Sequence, residues 1–297
     1  MIDFKSFTEQ AKHYDETIEI IAKTTAGSVE NLSYRLYLQR EEPADVIIVY
    51  HGGGVNLDAG YDILARQLAA FQGVAVCLVD IRGHGCSAGE RGTVEQPERI
   101  WCDVEVMMAE MRRYFPQARR HLFGHSSGAG MLLNYLTRYP FEQRADSLIM
   151  LAPELGPFAG TAHNSVSSFA QVRQWPFIVN MLSCGRLCGQ FRAVNLNFTP
   201  EALEMDTSFV RQYSVNMANA LTPRHPGKQL AELPVPTLLL VATQDELFSP
   251  QAMRDFAKKH GNDQLEFRFI EGGSHLDCVF KAHSYIHQYI GRERRGE

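Results

Sequence analysis

Leu122-Phe123-Gly124-His125-Ser126-Ser127-Gly128-Ala129-Gly130 is the stretch from which the fold of this chain can be read. Apolar residues run into it, and a helical pattern, Met131-Leu132-Leu133-Asn134-Tyr135-Leu136, runs out of it. Its centre spells G-x-S-x-G around Ser126. A strand that turns sharply into a helix at such a sequence lifts one serine above the edge of a sheet. Gly124 and Gly128 suit that turn, because strand and helix approach so closely that a Cβ would collide. The first backbone N–H groups of the helix lack helical acceptors and face any negative charge that develops near the serine. An ordinary strand-turn-helix junction is the competing reading, since three fixed positions in five recur by chance in a glycine-rich chain.

Working outward, Asp45-Val46-Ile47-Ile48-Val49-Tyr50 and Val74-Ala75-Val76-Cys77-Leu78-Val79-Asp80 are apolar runs typical of strands buried on both faces of a parallel sheet. The first ends in His51-Gly52-Gly53-Gly54, the second in a glycine-punctuated loop over residues 81–92. Helices are expected over residues 61–68 and 97–114, the latter turning Ile100, Val104, Met107, Met108 and Met111 toward the core. Strands follow at 147–152, 237–242 and 265–270, with helices near 251–260 and on to Tyr289. This alternation predicts an α/β chain with a mostly parallel, doubly wound sheet. Between residues 153 and 233 the rhythm breaks, with helical pieces at 175–182 and 208–213, so a helical cap insertion is expected there. The core would then be residues 1–152 and 234–297, and the cap 153–233. Trp175, Phe177, Met181 and Leu182 would either line a substrate pocket or pack within the cap. Near the start, residues 17–22 and 32–38 alternate like two strands, with Gly27-Ser28 between them as the hairpin turn.

The 297 residues are 45% hydrophobic and 21% charged, which suits one large globular α/β domain with an insertion. A net charge of -5 offers no basic face for nucleic acid. No stretch has the length and apolarity of a membrane span or a secretory signal, so no integral membrane segment is expected. The basic run Arg292-Glu293-Arg294-Arg295 reads as a solvated tail. Cys77, Cys102 and Cys278 lie in strand or helix patterns as small hydrophobes. Cys184 and Cys188 would share a helix face, but no histidine stands at ligand spacing, so two free thiols are expected and no metal. A reducing cytoplasm is the setting these cysteines imply.

A serine hydroxyl needs a base within hydrogen-bond reach and a group that orients the base. In a parallel sheet the loops after the strands gather on one edge. Two residues stand at such positions: Asp245, closing Leu240-Val241-Ala242-Thr243-Gln244-Asp245, and His275, closing Phe269-Ile270-Glu271-Gly272-Gly273-Ser274-His275. Glu154 is a rival acid. His283 and His287 sit deeper in a helical pattern and read as surface residues, and Asp277 as decoration of a helix start. Asp245 as a helix cap and His275 as a satisfied loop histidine are the bland alternatives. An oxyanion formed at Ser126 would need two donors, the Ser127 amide and one from the first glycine loop. Gly53 is best placed, with Gly52 or Gly54 as alternatives, and His51 reads as a brace of that loop.

Together, His51-Gly52-Gly53-Gly54, Asp80-Ile81-Arg82-Gly83-His84-Gly85-Cys86-Ser87, Gly124-His125-Ser126-Ser127-Gly128, Asp245 and His275 resemble the α/β-hydrolase fold. The D-x-R-G-H-G-x-S-x-G loop running into Glu90-Arg91-Gly92 is similar to the monoacylglycerol lipase and lysophospholipase-like branch, also grouped as serine-aminopeptidase-like hydrolases. The resemblance covers roughly residues 30 to 290. It implies a cofactor-free hydrolase of carboxylic esters, with small acyl esters or monoacylglycerol and lysophospholipid-like esters as substrates, an acyl-Ser126 intermediate, and a cap forming the pocket. Transient contact with a lipid surface belongs to the same expectation. Three features depart from the pattern: Val55-Asn56-Leu57 after the glycines, Ser127 where methionine is common, and a cap without a long apolar surface helix. Acyl transfer, amide or C–C bond hydrolysis, and ligand binding without turnover remain open on the same residues. Epoxide hydrolase and haloalkane dehalogenase chemistry is disfavoured, because both need a carboxylate where Ser126 stands.

Overall fold

A computed structural model of the protein describes residues 4–18, 22–163 and 169–295. An amphipathic helix, α1 (Phe4–Thr17), precedes a hairpin of β1 (Lys23–Val29) and β2 (Leu32–Leu38). There follow β3 (Asp45–Tyr50), α2 (Tyr61–Ala69), β4 (Val74–Val79), α3 (Pro97–Tyr114), β5 (Arg119–His125), α4 (Ser127–Arg138) and β6 (Ser147–Leu151). Residues 153–233 carry β7 (Ala170–Val172), α5 (Gln174–Leu182), β8 (Arg192–Leu196), α6 (Pro200–Met205), β9 (Gln212–Ser214), α7 (Val215–Leu221) and α8 (Pro226–Ala231). The alternation resumes with β10 (Thr237–Ala242), α9 (Pro250–His260), β11 (Leu265–Ile270), α10 (Cys278–Lys281) and α11 (His283–Arg295).

Eight strands form one sheet in the order β1-β2-β4-β3-β5-β6-β10-β11. It is parallel from β4 to β11, and β2 joins β4 antiparallel. Every residue of β3, β4, β6 and β10 is buried, as strands covered by helices on both faces must be. The methionine face of α3 is core: Met107, Met108 and Met111 are fully inside. After β3 the chain moves outward to β4, and after α3 it crosses back to β5 on the other side of β3. The loops that follow β3 and β5 therefore diverge above two paired strands, leaving the crevice where open α/β sheets bind ligands.

Several local expectations are corrected. Thr17 ends α1 rather than starting a strand, and residues 19–21 of that proposed strand lie outside the described residues. The hairpin turn is at Glu30-Asn31, with φ of 46° and 62°. Gly27 instead pairs with Tyr34 inside the ladder, where the tyrosine ring fills the space a Cβ would take. The piece at 208–213 is not helical but leads into β9. Residues 153–233 are thus mixed rather than purely helical, with a three-stranded antiparallel sheet beside their helices. Cys184 and Cys188 lie beyond α5 with positive φ, so they do not share a helix face. The basic run at 292–295 belongs to α11: Arg294 pairs with the buried Asp45, and Arg292 with Glu266 at 2.7 Å. Trp175, Met181 and Leu182 are each more than half exposed, with Trp175 set edge-on to Phe191 within the cap region at 5.0 Å between ring centroids, while Phe177 is partly buried against the core.

Candidate active site

Ser126 takes the tight turn between β5 and α4 with φ 53° and ψ −118°. A non-glycine residue tolerates such a conformation only where its surroundings enforce it. Here its N–H donates to Leu151 O at 2.9 Å, and its carbonyl accepts from Ala129 and Glu154 N–H, each at 3.1 Å. Close packing completes the constraint. A Cβ on Gly124 would lie 2.5 Å from the Ala129 nitrogen, and one on Gly128 would lie 2.6 Å from His51 O.

The structure brings the three residues named from sequence together. Ser126 Oγ is 3.1 Å from His275 Nε2, and His275 Nδ1 is 2.9 Å from Asp245 Oδ2. Asp245 follows β10 and His275 follows β11, so adjacent parallel strands deliver acid and imidazole to one rim. The other carboxylate oxygen of Asp245 accepts the Leu247 and Phe248 N–H groups, both at 2.8 Å. Burial raises the Asp245 pKa, but His275 and those amides more than reverse it, holding the carboxyl below its ordinary value. Burial likewise pulls the His275 pKa down, and the Asp245 carboxylate outweighs it, leaving the imidazole above its ordinary value. Such a chain can take a proton from the serine hydroxyl while the imidazolium is stabilised beside it.

The rival residues are engaged elsewhere. Glu154 accepts from Gly156 N–H and the Thr222 hydroxyl at 2.8 and 2.9 Å, and burial raises its pKa. His287 stacks on Phe71 with ring centroids 3.7 Å apart, and His283 lies on the same helix. Asp277 stands at the start of α10 and accepts Gln10 Nε2 of α1 at 3.0 Å.

The glycine loop after β3 separates its three candidates. Gly52 N–H donates to the Tyr61 hydroxyl at 2.8 Å, and Gly54 N–H to the Tyr213 hydroxyl at 2.5 Å. Among the described residues, the amides of Gly53 and Ser127 have no acceptor, and Ser127 Oγ lies beside Gly53. His51 braces this loop: Nδ1–H donates to Gly52 O at 2.8 Å, while Nε2 accepts from Ile81 N–H at 3.1 Å. Both contacts need the neutral ring, and burial lowers its pKa.

Sequence reading missed three residues around this centre. His125 Nε2–H donates to His275 O at 2.9 Å, and its Nδ1 accepts the Tyr61 hydroxyl at 2.7 Å. Burial drives its pKa down to about 3, so it stays neutral and in one tautomer. Tyr61 thus links the glycine loop, through His125, to the backbone of His275, and Tyr213 reaches the same loop from β9. Their signal is tertiary, and no spacing in the sequence carries it. A cavity of about 290 Å³ adjoins Tyr61 and His125, walled by Phe4 and Phe7 of α1, Val55, Phe209 and Leu276. Among the described residues no cluster of three or more His, Cys, Asp or Glu side chains is disposed to hold a metal ion, and no helix is long and apolar enough to cross a membrane.

Comparison with known proteins agrees with this fold. The sequence model described as "Serine aminopeptidase, S33" matches residues 41–277. An uncharacterised abhydrolase domain-containing protein of Dictyostelium discoideum is 25% identical over 253 residues, covering 80% of this chain and 24% of that protein. A monoacylglycerol lipase of Mycolicibacterium smegmatis is 28% identical over 134 residues, 45% of each chain. The chain thus spans a quarter and just under half of the length of these two relatives. In fold it is similar to a soluble variant of the Saccharomyces cerevisiae monoglyceride lipase solved with a substrate analogue. The TM-score is 0.68 at 14% identity, over 93% of this chain and 96% of that one. The chain belongs to the serine aminopeptidase S33 family of α/β-hydrolases, with a monoacylglycerol lipase-like sequence and fold.

Proposed function

We propose that the protein is a serine hydrolase that cleaves carboxylic esters, either monoacylglycerol and lysophospholipid-like esters or small acyl esters, through an acyl-Ser126 intermediate. The observation that carries this reading is the unbroken chain from the Ser126 hydroxyl through His275 to Asp245. Ser126 Oγ adds to the ester carbonyl carbon as its proton passes to His275 Nε2, with Asp245 holding Nδ1–H. The carbonyl electron pair moves onto oxygen, which faces the amides of Gly53 and Ser127. Collapse expels the alcohol with the proton from His275, and a water then repeats the sequence to release the acid and restore Ser126.

Residues 153–233 serve as a cap over this site. The exposed Trp175, Ile178, Met181 and Leu182 of α5 form an apolar surface suited to transient contact with a lipid surface that presents the ester. Six unpaired cysteines suit a reducing, cytoplasmic setting.

Fluorophosphonate labelling combined with p-nitrophenyl esters of increasing chain length tests the reading. Labelling at Ser126 with burst release of p-nitrophenol supports it, and Ser126→Ala and His275→Ala should abolish labelling nearly equally. Labelling without turnover would turn the assignment toward acyl transfer, amide or C–C bond cleavage, or ligand binding. Normal labelling of His275→Ala would refute the assigned base.

A further inference from the structure

We propose that Tyr213 is a positioning residue for the oxyanion loop, so that the cap, and not the sheet alone, assembles the donor site. This rests on the ester-hydrolase reading above and adds to it a condition on when the site is competent. Glycine has more backbone freedom than any other residue, so the direction of the Gly53 amide must be fixed from both sides. On the sheet side Tyr61 holds Gly52 N–H, and His51 holds Gly52 O, the oxygen of the peptide that carries the Gly53 N–H. On the far side the holds on Gly54 and Asn56 come from residues 206–213. Gly54 N–H donates to the Tyr213 hydroxyl at 2.5 Å, and Val210 N–H donates to Gly54 O at 2.7 Å. Two residues on, Asn56 Nδ2 donates to Ser208 Oγ at 3.0 Å and to Asp206 Oδ2.

The Tyr213 contact has one consistent proton arrangement. His84 Nδ1–H is committed to Arg82 O at 3.2 Å, so its Nε2 accepts from the Tyr213 hydroxyl at 2.7 Å. The phenol oxygen is then free to accept Gly54 N–H. Burial keeps His84 neutral by lowering its pKa to about 3, which preserves that direction. Asp80 secures the same loop from below, accepting Leu57 N–H at 2.9 Å and Cys86 N–H at 2.8 Å. Tyr213 therefore stands where the His84 loop, the oxyanion loop and β9 meet. Withdrawing residues 206–214 removes the holds on Gly54 and Asn56 together, and the Gly53 peptide is then fixed only at Gly52 O by His51, with its next anchor at Leu57.

Tyr213→Phe keeps the ring and deletes the hydroxyl. Its kcat on a short p-nitrophenyl ester should fall about tenfold or more while KM changes little, since an oxyanion donor acts on the transition state. Affinity for an alkyl trifluoromethyl ketone, whose serine adduct places an oxyanion in the same hole, should fall by the same factor as kcat/KM. Amide exchange at Gly54 should accelerate while that of α4 does not. A thermal melt checks that the variant folds. If it does not, Asn56→Ala, which releases the loop from Asp206 and Ser208 and frees Asp58 N–H, tests the hold of residues 206–213 on the loop by the same kinetic and ketone readouts, with amide exchange read at Asp58. Unchanged kcat and ketone affinity in folded Tyr213→Phe would overturn the role of Tyr213, and in Asn56→Ala the hold of residues 206–213 on the loop, and either would leave the hydrolase reading standing. A wild-type protein that neither labels nor turns over would sink that reading instead, and amide exchange at Gly54 would then decide the structural claim alone.

Discussion

Gly128→Ala asks how tightly the elbow is built. An added Cβ would sit 2.6 Å from His51 O and 2.7 Å from Tyr50 O, against ordinary contacts of 3.4 Å or more. The first turn of α4 must therefore move about 0.8 Å from the end of β3, because backbone atoms there cannot swing aside. That separation splits the two halves of the proposed oxyanion site, since the Ser127 amide rides on α4 while Gly53 follows β3. Positioning errors near 1 Å cost about 10²-fold in rate. Gly128→Ala should thus lower kcat/KM about a hundredfold and destabilise the fold by about 1–3 kcal/mol. Gly291, inside α11, has nothing within 4 Å of its would-be Cβ. There the same chemical change should stabilise by about 0.5–1 kcal/mol and leave turnover alone. Urea melts and p-nitrophenyl butyrate assays on the pair read both quantities. Wild-type activity and stability in Gly128→Ala would show that the contact does not constrain the site.

The pH profile follows from the triad. Catalysis needs neutral His275, whose pKa lies above 6.5, so kcat/KM on an uncharged ester should rise through an inflection above that pH. Asp245→Asn should move the inflection down and cut kcat by about 10⁴; an unmoved inflection would exclude His275 as its source. Stability should fall in acid, because His84 and His125 have folded pKa values of about 3 against 6.5 unfolded. Their contribution is complete above 6.5, and each loses about 2 kcal/mol between pH 7 and 5. His275 works the other way, its contribution being complete below 6.5 and fading as pH rises through its higher folded pKa. His84→Asn should therefore lose about 2 kcal/mol less than wild type over that interval, and parallel melts would refute the assignment. Replacing Trp175 and Leu182 by serine should weaken sedimentation with phosphatidylcholine vesicles about tenfold or more while sparing a water-soluble ester; equal sedimentation would remove α5 from any lipid contact.

What could be read in advance follows a physical division. Strands β3, β4, β6 and β10 were legible because burial on both faces makes each a continuous apolar run, and α3 because Ile100, Val104, Met107 and Met111 share a stripe. The catalytic candidates were legible because strand-end loops converge by topology. Helix α1 was not read, since Phe4 and Phe7 are its only buried residues. Residues 208–213 imitate a helix by placing Phe209, Val210 and Tyr213 at helical spacing, while their conformation is set by pairing with β8 and by bonds to Gly54. The run at 292–295 looked solvated because charge alone marks a surface, and only the fold supplies Asp45 and Glu266 as partners.

The two halves of residues 153–233, the proposed cap, answer to different masters. Residues 206–214 are tied to the loop that would stabilise the reacting oxygen, so alterations there are paid for in rate. The α5 portion leans on β8 and α7 and leaves Trp175, Ile178, Met181 and Leu182 more than half exposed. The exposed Trp175, Ile178, Met181 and Leu182 can therefore be exchanged while the loop beneath keeps its bonds, which makes this outer face the natural place to graft a new surface preference.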